Sequence, residues 1–169
     1  MTLRRIACTA ALAATLLAGG QAAAEEKFVT FRVMTVELAL ELAQAALKHC
    51  RAQGWQAAVA VVDRFGVVQV VLRDRFAGPH SPNTAISKAW TAVSFRGNTT
   101  QLEENSQAGK PASGIRHAPG VIMVGGGVLV ESRGSMVGGV GVSGAPSGLS
   151  DDACARAGIA AIEDKLAFD

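Results

Sequence analysis

Two apolar runs, AAVAVVD (57–63) and VVQVVLR (67–73), are separated only by the turn residues of DRFG. So short a connection admits one solution, an antiparallel hairpin, because parallel strands need a crossover of a dozen residues or more. Asp63 then serves the turn, its carboxylate accepting backbone N–H bonds across it. A fold built on this hairpin has to cover a nearly continuous apolar strand on both faces. Helices must supply that cover.

The flanking sequence provides them. Thr35 caps an amphipathic helix running to about Gln53 and ended by Gly54. Ser81 is the expected N-cap of a second helix over 82–96, with Pro82 at its first position and Ile86, Ala89, Trp90 and Val93 on its core face. Thr100 and Glu103 form a capping box for a short third helix. After a polar loop from Gln107 to Gly120, VIMV (121–124), VLVES (128–132) and SMVGGVGVSG (135–144) read as a three-strand meander, with GGG (125–127) as a turn. Ser150, Asp151 and Asp152 open a final helix to about Leu166, in which Gly158 marks close packing. The expected fold is α+β, a five-stranded antiparallel sheet flanked by helices in the order α-β-β-α-α-β-β-β-α.

GVGVSG (139–144) matches a G-x-G-x-x-G pattern, but it lacks the parallel βαβ unit that a dinucleotide site needs. Its glycines are better read as permitting close approach of another backbone, a ligand or a subunit.

Residues 1–24 read as a signal peptide: Arg4 and Arg5, an apolar stretch, and small residues at Ala22 and Ala24 before Glu25. The apolar run is too short for a stable membrane anchor. The expected product is one domain over 25–169, periplasmic or secreted. Both leader arginines leave with it, so fourteen of the sixteen basic residues face fourteen acidic ones. That balance, with no basic cluster, sets nucleic acid aside as a partner. Cys50 and Cys154 remain, either as a disulfide or as two buried thiols. Leu38, Leu42, Ala46 and Cys50 share a helical face turned to the core, and two buried thiols are the expectation.

The strings AVAVVDRFGVVQVVLRDRFAG, SPNTAISKAWTAVSF and GGGVLVESRGSMVGGVGVSGAPSGLSDDACARAG together resemble the GlcG/HbpS family, over roughly residues 33–166. The resemblance implies the five-stranded sheet, assembly into homo-oligomers and, in several members, haem binding. The haem ligand is not part of the shared motif. A haem site needs an iron donor, an apolar slot and cations for the propionates. With no Tyr in the chain, the donors are His49, His80, His117, Met34, Met123, Met136 and the two cysteines. His80 lies beside Arg73, Arg75 and Phe76 and is the candidate axial ligand, with His117 as a second. Lys88 is read as an ion-pair partner of Asp63 or Asp74, lining the same region. The rival readings are an enzyme holding a small organic acid through Arg73, Arg75 and Lys88, and a ligand-free oligomeric accessory protein. No nucleophile–base–orienter set or metal motif stands out, so catalysis is the lesser expectation.

Overall fold

The computed structural model describes residues 27–167; residues 1–24, read above as a signal peptide, lie outside them. The chain divides into two units, residues 1–30 and 31–169. In the first, the described residues 27–30 carry no helix or strand. Every helix and strand of the described residues falls in the second.

Its elements are α1 (Val36–Ala52), β1 (Ala58–Asp63), β2 (Val68–Arg73), α2 (Ser81–Phe95), α3 (Thr99–Asn105), a 3-10 turn (Ser113–His117), β3 (Gly127–Ser132), β4 (Ser135–Ser143), α4 (Gly148–Ala160) and α5 (Glu163–Ala167). The sheet has the order β2-β1-β4-β3, antiparallel throughout. As the sequence implied, the β1–β2 turn is held by Asp63, whose Oδ1 accepts from the N–H groups of Phe65 (2.8 Å) and Val67 (2.9 Å).

The alternation along β1 decides how the layers stack. Val59 and Val61, with Val140 and Val142 of β4, join Leu42, Ala46 and Cys50 of α1 and Cys154 and Ala155 of α4 in the main core. The residues between them, Ala58, Ala60 and Val62, point to the other face and meet Ala85, Ala89 and Val93 of α2. One strand thus carries a large-residue face and a small-residue face. On β4 the small face is Gly139 and Gly141. A Cβ at Gly141 would stand 2.0 Å from the Ala85 carbonyl oxygen, so α2 rests directly on the strand backbone. That is the close approach expected of the glycine string. Gly158 repeats it on the other face, where a Cβ would lie 2.8 Å from both Ala46 Cβ and the Leu42 carbonyl.

Several expectations need correction. Among the described residues the sheet has four strands, not five. VIMV (121–124) is irregular because helix side chains take its backbone hydrogen bonds: the Ile122 N–H donates to Thr91 Oγ1 (3.0 Å), and the neighbouring Gly125 N–H to Glu103 Oε2 (2.9 Å). The GGG segment is accordingly no hairpin turn; Gly127 already opens β3. Glu103 and Thr100 form no capping box, since Thr100 Oγ1 donates to Asp152 Oδ1 (3.0 Å) and α3 starts after Asn98. The last helix begins after Ser147, whose hydroxyl accepts from the Ser150 N–H (3.1 Å), and it breaks into α4 and α5. Thr35 caps α1 as expected, accepting from the Leu38 N–H.

Cys50 and Cys154 are bonded to each other, joining α1 to α4 across 104 residues. Both are fully buried, as the helical face suggested, but the expectation of two free thiols was wrong. Sequence spacing carries no information on which helices cross.

Candidate functional site

The loop between β2 and α2 is fixed at several points. Asp74 is buried; its N–H donates to the Ala57 carbonyl (2.9 Å), and its Oδ1 accepts from Arg51 Nε at 2.7 Å. The Arg51–Asp74 contact holds the guanidinium above its ordinary pKa, the hydrogen bond to Asp74 being the largest cause. The Ala77 N–H donates to the Asp74 carbonyl (3.1 Å), and Arg73 donates to the Ala77 carbonyl. The Ser81 N–H then bonds the Gly78 carbonyl (3.0 Å) and starts α2. His80, not Ser81, occupies the cap position, and its side chain makes no capping bond.

A loop so anchored presents its free side chains in fixed places. His80 and Phe76 are exposed, Phe76 by 77%. The His80 ring lies over Gly78: a Cβ there would sit 2.6 Å from Cε1 and 2.9 Å from Nδ1. Glycine at 78 is what makes room for the imidazole.

His80 and Phe76 stand on the rim of a cleft of about 660 Å³, within the usual size range of small-molecule sites. Trp55, Ile122, Val124 and Pro146 supply further apolar wall. Ser81, Thr84 and Lys88 line it from α2, and Ser143 to Gly148 with Asp151 from the β4–α4 junction. Lys88 is 2% exposed; its Nζ donates to Asp151 Oδ2 (2.7 Å) and to the Val142 carbonyl (3.1 Å). Its partner is therefore neither Asp63 nor Asp74, which are spent on the turn and on Arg51. Burial raises the Asp151 carboxyl above its ordinary range, while Lys88 and the Ala145 N–H pull it partly back.

Of the residues singled out from sequence, His80, Phe76 and Lys88 come together here. Arg73 and Arg75 do not line the cleft; Arg73 is committed to Ala77, and the Arg75 guanidinium lies 5.8 Å from the Phe76 ring centroid. His117 is also elsewhere, exposed on the 3-10 turn, while neighbouring Arg116 ties that segment to the carbonyls of Ser106 (2.6 Å) and Glu103 (2.8 Å). Asp151 and Ser81 went unrecognised: one looked like a dipole-complementing acid, the other like a cap. Among the described residues no group of three or more His, Cys, Asp or Glu side chains could hold a metal ion.

A family model described as a haem-degrading, HbpS-like protein matches residues 34–160. The crystal structure of a double mutant of HbpS from Streptomyces reticuli is 37% identical, with a TM-score of 0.74 over 91% of this chain and 97% of that one. The crystal structure of a PduOC:heme complex is 30% identical, with a TM-score of 0.73 over 77% of this chain and 95% of that one. The corrinoid adenosyltransferase PduO of Salmonella typhimurium is 34% identical over 124 residues, 72% of this chain. The chain spans only 37% of that enzyme's length.

Proposed function

Because the chain belongs to the HbpS-like family of haem-degrading proteins, we propose that its cleft binds haem and that His80 would hold the iron. The carrying observation is the His80 imidazole, exposed at the rim and seated over Gly78. A flat, largely apolar macrocycle whose iron would take one protein nitrogen suits that rim, where Trp55, Phe76, Ile122 and Val124 provide apolar surface. The relative described as a PduOC:heme complex supports the same reading. When bound, the iron supplies ligand-binding and electron-transfer chemistry. The chain's part would be to hold one iron donor on an anchored loop and to exclude water along the apolar wall.

The reading extends to place and assembly. Export as a signal-peptide-cleaved domain over 25–169, to the periplasm or beyond, is supported by the Cys50–Cys154 disulfide, since such bonds persist in oxidising compartments. Self-association is supported by edge strand β2, which leaves Val68 and Val71 exposed beside Phe65 and Val67 of the turn. Light scattering at micromolar concentration is expected to give a mass above one chain; a monomer contradicts it.

The test of the haem site is a hemin titration of the mature protein, followed in the Soret band, with His80→Ala and His117→Ala alongside. His80→Ala should shift the band and weaken binding about tenfold or more, while His117→Ala should do neither. An unchanged band and affinity in His80→Ala would sink the assignment.

A further inference from the structure

His80 and the apolar rim leave the closed end of the cleft without a role. There Ser81 is 1% exposed, and its hydroxyl has no hydrogen-bond partner among the described residues. A buried unpaired hydroxyl is a standing cost, rare enough to need a reason. Helix capping is not the reason, because Ser81 already lies inside α2. Thr84 and Lys88 follow it on the same helical face, and side chains on a helix lean toward its N-terminus. All three line the cleft.

The donor count sharpens this. An ammonium carries three N–H groups. Asp151 and the Val142 carbonyl take two of those on Lys88, which leaves one with no acceptor among the described residues. Asp151 is itself committed, Oδ2 to Lys88 and Oδ1 to the Ala145 N–H (2.9 Å). The N-terminus of α2, at Ser81, and that of α4, at Gly148, both line this cleft. Each brings roughly half a positive charge. Lys88 and Asp151 cancel, so the remaining positive potential matches a monoanion better than a doubly charged phosphate.

We infer that this end of the cleft is a carboxylate subsite, in which Ser81 and Lys88 donate to a carboxylate held between the N-termini of α2 and α4. The carboxylate has two possible sources, a haem propionate or a free small organic acid. Only the first rests on the haem reading above.

Hemin and its dimethyl ester, titrated into the wild-type protein and Ser81→Ala, separate the sources, with acetate and lactate run in parallel by thermal unfolding. For a propionate, the ester binds the wild type about tenfold or more weakly than hemin, and Ser81→Ala narrows that gap. For a free acid, acetate or lactate raises the wild-type unfolding midpoint and has less effect on Ser81→Ala, whether or not hemin binds. That second result upholds the subsite even if the haem reading fails. Equal affinity for hemin and ester, with no stabilisation by either acid, overturns it. So does a carboxylate effect of equal size in both proteins. If Ser81→Ala does not fold, the wild-type arms alone decide.

Discussion

Lys88 and Asp151 meet 2.7 Å apart in the interior, 63 residues apart in sequence, and so tie α2 to α4 beneath the cleft. A buried ion pair adds little net stability over an apolar one, but removing one partner strands the other. Lys88→Met should therefore cost about 3–5 kcal/mol, and Lys88→Met with Asp151→Asn should recover part of that. Urea midpoints of the two variants and the wild type check both statements. Equal stability of single and double variants would show that the pair is not coupled.

The pair also gives stability an unusual pH dependence. Burial raises the Asp151 carboxyl above its unfolded value, so across that window the folded state binds more protons than the unfolded chain. The contribution is favourable at low pH and is lost as pH rises through the raised value. Other carboxylates titrate too, so the quantity to measure is the difference from Asp151→Asn. Relative to that variant, the wild type should lose stability on going from about pH 3 toward neutrality. A difference that stays flat, or runs the other way, contradicts the assignment.

Intact mass reports on both the leader and the cysteines. Protein from a periplasmic extract should begin near Glu25 and weigh two hydrogens less than its reduced form. Replacing Cys50 and Cys154 with alanine should cost about 2–5 kcal/mol, because the bond closes a long loop in the unfolded chain. A full-length mass, or thiols that titrate in denaturant without reductant, would contradict the respective halves.

Gly78→Ala tests the seat of the ligand without touching it. The added Cβ falls where the His80 ring now lies, and an exposed ring can swing away at little cost to the fold. Hemin affinity should drop severalfold while the unfolding midpoint moves by less than about 1 kcal/mol. A variant that binds hemin as the wild type does would show that the ring's position is immaterial.

The layers were largely legible in the residues. Thr35, Asp63 and Gly54 act through local chemistry, so their roles can be read from neighbours in sequence, and the β4 glycines show by their missing side chains that something packs close. What escaped reading depends on partners far along the chain. VIMV has a strand's composition, yet Thr91 and Glu103 satisfy backbone groups there and just beyond. Asp151 has a dipole acid's position, yet it is buried against Lys88. Of the candidate site residues, His80, Phe76 and Lys88 line one cleft, whereas Arg73 does not, because a carbonyl four residues on already occupies it.

The seating of α2 on bare β4 backbone constrains how such a site can change over generations. At Gly139 an added methyl would meet Val93 at 2.7 Å and the Ala89 carbonyl at 3.1 Å, and Gly141 leaves still less space. The helix bearing Ser81, Thr84 and Lys88 therefore cannot be re-pitched by small substitutions beneath it. In descendants of this chain the cleft's lining has to drift through its loops, at 54–56, 76–80, 122–124 and 144–147, while the helix-borne groups keep their positions.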